Sequence, residues 1–330
     1  MIIRFFKKNQ IASVVVISLV AIALWLPAFI NPIPMALVKT PMPLFGLIEY
    51  GVRNYPFIYN TVALLLIIVE AFFLNYILTR NNVVEENTYL AAFIYMLLMS
   101  SDKTFLTLHP LIFSNFFLLL VLYKLINTYR KEEAFSEVFD AAFFLSIASL
   151  FYFPSLVMFP VIWVILLFIR PFVWREWVIS IVGLGLPYLF VFVYYFWMDE
   201  LKSFLFEGII LTTLYDKFNT LHIPSTPILI YVFILLFIFM IALIKQINKS
   251  GKSQILARNT NIFFISFLVF ALLSYLVAPE LKMNYLSFAV IPFSTVVSNY
   301  LVSEKKMWRA ELLFLLLLAS ILYCKIEGET

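Results

Sequence analysis

One cysteine, Cys324, and two histidines, His109 and His222, are the whole stock of thiol and imidazole in this 330-residue chain. A lone thiol excludes an internal disulfide and any cysteine-held metal cluster. Two imidazoles cannot build a four-histidine iron site, a bis-histidine haem with ligands to spare, or a histidine-rich zinc site. Glycine is scarce as well, at seven residues, and no glycine-rich phosphate loop or nucleophile elbow occurs. The third shortage is charge. Asp, Glu, Lys and Arg make up 13% of the chain, too little polar surface to cover a water-soluble globule.

What replaces charge is hydrocarbon. Hydrophobic residues reach 64% and the mean hydropathy is +1.00, which predicts an integral membrane protein whose partner is the lipid bilayer. The apolar runs are continuous rather than alternating, so the fold class is all-α, a polytopic transmembrane helical bundle. About eleven spans are expected, at roughly 11–30, 59–79, 87–101, 108–126, 139–153, 155–170, 177–197, 226–245, 260–278, 284–302 and 309–325. The third and fifth are short. Residues 1–330 read as a single transmembrane domain, because no segment outside the spans is long enough to support its own core.

The net charge of +4 is small, and its placement matters more than its size; it is no signal for nucleic acid. With the N-terminus in the cytoplasm, only Lys39, Arg53, Lys103, Lys202, Lys217, Lys282 and Lys325 of the 23 basic residues fall outside. The positive-inside rule therefore favours that orientation. The first span follows Arg4, Lys7 and Lys8 and has no small-x-small site after it, so it reads as an uncleaved signal anchor. Two outer segments, 31–58 and 198–225, are aromatic and apolar and are expected to lie on the membrane surface as interfacial helices. In the second, Leu201, Phe204, Leu205, Ile209 and Leu211 recur near helical spacing around Asp199, Lys202 and Glu207.

Three places carry candidate chemistry. Glu70 is a lone acid in the run Tyr59 to Thr79; an intramembrane carboxylate costs several kcal/mol unless it faces protein or water. It is either a functional acid or a protonated one bonded to a neighbouring helix. Glu49 and Arg53, with Tyr50, Tyr55 and Tyr59 close by, form either an outer-face general base or metal ligand with its cation, or an interfacial ion pair at helical spacing. Asp102, Lys103 and His109 share one short outer connection. They are either a site for a phosphate or a sugar, or the charges of a solvated turn.

A family resemblance then enters. A signal-anchor helix, an outer loop carrying an acid and a Tyr55-Pro56-x-x-Tyr59 lead into the second span resemble the GT-C superfamily of integral-membrane glycosyltransferases. Phe139-Asp140-Ala141-Ala142, Phe153-Pro154, the motif Arg170-Pro171-Phe172-Val173-Trp174-Arg175-Glu176-Trp177, and Gly183, Gly185 and Pro187 follow in a similar order. The resemblance covers about residues 10–200. It implies a GT-C-like helix arrangement, a polyprenyl-phosphate-linked sugar donor, and an acid of the first outer loop as base or metal ligand. The matching position is Glu49, since 31–48 holds no acid, and a divalent cation is the candidate cofactor. The chain is also similar to a multi-spanning membrane family of Bacteroidota with no established activity, which implies a bacterial inner membrane.

Two functional classes follow from these readings. In the first, a transferase, Arg53, Lys103 or Lys202 neutralises the donor phosphate, Tyr55 and His109 line the site, and Glu49 or Asp102 deprotonates the acceptor. In the second, a non-catalytic subunit or scaffold docks other envelope proteins through its aromatic outer surface. A transporter using Glu70 is a third.

Overall fold

A computed structural model describes residues 3, 5, 6, 10–32, 42–84, 86, 88–129, 131–169, 171–206, 226–250, 255–277 and 286–327. Among them the chain is all-α, as expected. Twelve helices follow in order: α1 (Gln10–Ile30), α2 (Pro43–Val52), α3 (Pro56–Arg80), α4 (Leu90–Leu98), α5 (Pro110–Ile126), α6 (Phe135–Phe151), α7 (Phe159–Ile169), α8 (Trp174–Trp197), α9 (Thr226–Ser250), α10 (Ile255–Val277), α11 (Ser287–Ser303) and α12 (Met307–Glu327). A 3-10 turn, Lys103–Phe105, precedes α5; a longer one, Phe153–Met158, leads into α7; and one helical turn, Leu201–Ser203, follows α8. Proline sets several starts. Pro43, Pro56 and Pro110 sit in the first turns of α2, α3 and α5, where the missing N–H has no helical partner to lose.

Five helices are long and apolar enough to cross a membrane: Ile11–Ile30, Pro56–Arg80, Trp174–Trp197, Thr226–Ile247 and Met307–Ile326. Four shorter apolar ones accompany them, Pro110–Ile126, Phe153–Ile169, Ile262–Val277 and Ser287–Ser303. Nine apolar helices thus stand, among the described residues, where eleven spans were expected. The expected span 87–101 is helical over the nine residues of α4, about 14 Å at 1.5 Å per residue and half of a hydrocarbon core. All nine are buried, so α4 is an interior helix enclosed by others. The expected span 139–153 belongs to α6, which starts earlier, with Glu137 in its first turn and Asp140 one turn on.

Burial divides the bundle into a protein-facing centre and a wide apolar exterior. α11, central beside α4, is buried along almost its whole length, including Ser287, Ser294, Thr295 and Ser298. The last three bond back to carbonyls three or four residues earlier, which satisfies their hydroxyls without a partner helix. On the exterior, α8 exposes Val182, Leu189, Phe190, Val193 and Trp197, and α1 exposes Val15, Leu19, Ile22 and Leu26. Apolar exposure on this scale is what acyl chains cover. The protein is a multi-span membrane protein.

Polar bonds show which helix ends lie together. At one end, Arg80 of α3 meets Tyr123 of α5, Lys124 of α5 meets Asp140 of α6 at 2.6 Å, Glu176 of α8 meets Ala134 ahead of α6, and Lys245 of α9 pairs with Glu304 after α11. This is the basic end. At the other, Trp25 of α1 donates to Ser100 after α4 at 3.1 Å, Asn60 of α3 to the Ala28 carbonyl at 2.7 Å, and Lys325 of α12 to the Leu24 carbonyl at 2.6 Å. Arg80, Lys124 and Lys245, three of the cations that the positive-inside rule assigns to one leaflet, thus lie at one end of the bundle. Arg4, Lys7, Lys8, Arg130, Arg170 and Lys252 lie outside the described residues.

Of the two outer segments, the first contains α2, with Phe45 and Glu49 buried while Leu47 and Tyr50 face out. Residues 33–41 lie outside the described residues. The second is described to 206 only. Glu207, Ile209, Leu211, Lys217 and His222 lie outside the described residues.

Candidate functional site

The connection between α4 and α5 buries five polar residues, Ser100, Ser101, Asp102, Thr107 and His109. Phe105, Leu106 and Leu108 are buried and draw the turn into the bundle, taking those polar residues with them. It is not the solvated turn that its charges suggested. Asp102 caps the 3-10 turn: its Oδ2 accepts from the Thr104 hydroxyl at 2.5 Å and from the Thr104 amide at 3.4 Å. His109, extended as a residue before proline must be, caps α5 and lies 6.2 Å from the Phe105 ring. Its two ring nitrogens and the Thr107 hydroxyl make no hydrogen bond among the described residues. Tyr231, at the start of α9, stands beside Ser101, Asp102 and Cys324. Three elements distant in sequence thus close around this turn: the end of α1, the start of α9 and the end of α12.

Asp102, Lys103 and His109 all lie on the connection between α4 and α5, with Asp102 and His109 buried and Lys103 half-buried. Glu49 and Arg53 form a second unit on α2. Glu49 is buried and Arg53 and Tyr55 are exposed, so the carboxyl faces protein and the cation faces out. Burial pushes the Glu49 carboxyl above its usual range, and Arg53 pulls it partly back. Lys202 is exposed on the turn after α8.

The Glu49 shift has a pH signature. A carboxyl whose folded value is raised holds its proton longer in the folded state than in the unfolded one, so stability falls as pH climbs from about 4.5 through the raised value. Glu49→Gln is therefore expected to raise the thermal unfolding temperature in detergent near pH 7.5. Near pH 4, where both states are neutral at this position, it should change little. An equal effect at both pH values would show that the carboxyl's charge is not what is being relieved.

Glu70 is fully buried on α3 and accepts a hydrogen bond from the Tyr95 hydroxyl of α4 at 2.9 Å. Its other oxygen faces the Phe116 backbone of α5 without a bond of acceptable geometry. A mid-helix amide such as that of Phe116 is already committed to its own turn. Sequence reasoning missed Glu176, which is buried on α8 and accepts from the Ala134 amide at 3.2 Å. The available signal was an acid in the first turn of an apolar helix; its partner, forty-two positions away, carried none. No group of three or more His, Cys, Asp or Glu side chains gathers among the described residues.

No curated protein and no solved structure matches the chain. A family model described as a family of unknown function does, over residues 28–328, a stretch that includes the buried turn, Glu49, Glu70 and both bundle ends. This chain belongs to that family of unknown function, DUF6427.

Proposed function

We propose that the protein is a non-catalytic integral-membrane subunit that scaffolds other envelope proteins in a bacterial inner membrane, with its basic end in the cytoplasm. One observation supports this reading above others: the acids available for chemistry are buried and engaged within the protein itself. Asp102 caps a turn, Glu70 binds Tyr95 and Glu176 holds the start of α6, while Glu49 is buried in the field of Arg53. At the far end from the cytoplasm, Tyr50, Tyr55, Phe57 and Trp197 are exposed, an aromatic rim of the composition that interface cores favour.

The test is complementation of a deletion strain. Glu49→Gln and Asp102→Asn, each at normal protein level, are expected to restore growth and the surface glycan profile in full. Loss of a surface glycan in either strain would favour a different reading, transfer of a sugar from a polyprenyl-phosphate donor by a GT-C-like arrangement. What supports that second reading is the buried turn itself, where Asp102 and Lys103 adjoin a histidine with two unpaired nitrogens. In it Lys103, Arg53 or Lys202 neutralises the phosphate, and Asp102 or Glu49 takes the acceptor proton.

A further inference from the structure

At the basic end the described cations are mounted in two ways, some against carboxylates and others, such as Arg175 on Trp174 and Arg309 on Trp308, against aromatic rings. Lys124, Lys131 and Lys245 face the carboxylates of Asp140, Glu137 and Glu304. Arg80 faces two phenols instead: its Nη1 donates to the Tyr76 hydroxyl and, at 3.0 Å, to the Tyr123 hydroxyl. The guanidinium carbon stands 5.7 Å from the Tyr76 ring centre and 5.8 Å from that of Tyr123. Phe73 stacks on Tyr76 at 6.4 Å and leans on Tyr123 at 6.1 Å, which braces both rings between α3 and α5. No carboxylate pairs with Arg80 among the described residues, although a guanidinium has five donors in a planar fork and only Nη1 is used here.

The position of that fork says what would meet it. Ile58, Leu65, Val69 and Tyr76 are exposed and recur at seven, four and seven residues, one face of a helix. Arg80 is the next position on the same face, four residues past Tyr76. An acyl chain lying along Leu65 and Val69 therefore ends beside a guanidinium already fixed by two hydroxyls. Pre-fixing reduces the rotamer freedom lost on binding, and the fork matches the oxygens of a phosphate.

We propose that Arg80, Tyr76 and Tyr123 form a binding site for the phosphodiester of an anionic phospholipid whose chains lie along the exposed face of α3. This goes beyond the scaffold reading and does not depend on it. The test is native mass spectrometry of the purified protein with phosphatidylglycerol, phosphatidylcholine or inorganic phosphate added. Wild type is expected to retain phosphatidylglycerol in preference to phosphatidylcholine, and Arg80→Gln to bind it about tenfold more weakly. Tyr76→Phe with Tyr123→Phe, which keeps the charge and removes its mount, should weaken binding about threefold. Lys305→Gln removes an exposed charge at the same end and should leave binding unchanged. Should Arg80→Gln fail to accumulate, Arg80→Lys replaces it, with several-fold weaker binding expected because an ammonium cannot fork. Wild-type retention in the Arg80 variant overturns the proposal, as does an equal loss in Lys305→Gln, which would mean diffuse attraction. Displacement of the lipid by millimolar inorganic phosphate would likewise overturn it, in favour of a small-anion site.

Discussion

Gly183→Leu is expected to destabilise the protein by about 3 kcal/mol or to prevent its accumulation. Even the Cβ of an alanine at Gly183 would stand 2.6 Å from the Phe139 carbonyl oxygen and 3.1 Å from the Ala142 Cβ. The obstacle is backbone on one side and a methyl group on the other, and neither can rotate away. Small residues at such contacts let membrane helices approach closely, and here α6 and α8 do so around Ala142 and Gly183. The same interface carries a hydrogen bond between the Ser149 and Tyr188 hydroxyls at 2.7 Å. Gly185, two residues on, is the control. A Cβ there meets nothing within 4 Å, so Gly185→Ala should be neutral or gain up to about 1 kcal/mol from helix propensity. Reversible unfolding in mixed SDS–detergent micelles would separate the two. Equal effects at 183 and 185 would refute close contact between α6 and α8 as the reason for glycine.

Tyr95→Phe is the second large effect, expected to cost about 2 to 3 kcal/mol, because it leaves the Glu70 carboxyl buried without its donor. Glu70→Gln should cost much less, since an amide oxygen accepts the same bond. The double variant Glu70→Leu with Tyr95→Phe removes both polar groups and should approach wild-type stability, as replacement of buried polar pairs by hydrocarbon often does. That non-additivity is the measurable quantity, read from a double-mutant cycle by the same unfolding assay. Additive losses would show that the 2.9 Å bond contributes nothing. The cycle also bears on the transporter reading: a fold-preserving Glu70→Gln that abolishes an envelope phenotype would give the acid a role beyond joining α3 to α4.

The bilayer character of the chain was legible because hydropathy is local. Each apolar run states its own solvent, and the Lys and Arg residues state which run ends belong together. The same reasoning misjudged α4 and α6. The apolar stretch Tyr89–Met99 within 87–101 looks alike whether lipid or protein surrounds it, and only the helices packed around Leu90–Leu98 show which it is. In the first turns of α6 the acidic residues are held by Lys131 and Lys124, and neither pairing is visible in hydropathy.

The candidate residues divide along the same line. The proximity of Glu49 to Arg53 was legible because the two are near in sequence, whereas the cap that Asp102 makes with Thr104 was not anticipated. Burial of Asp102 and His109 was not legible either, since it depends on α1, α9 and α12 closing over the turn. The pairing of Lys325 with Leu24 spans 301 positions, and that of Trp25 with Ser100 spans 75. The sequence by itself determined that hydrocarbon solvates these helices and that their cations gather at one end. Only the tertiary structure decided which acids are tied to a neighbouring helix, where glycine admits a close crossing, and which arginine is left with phenols instead of a carboxylate. Transfer free energy is a property of each segment alone, whereas a hydrogen bond or a steric contact exists only once two distant segments have met.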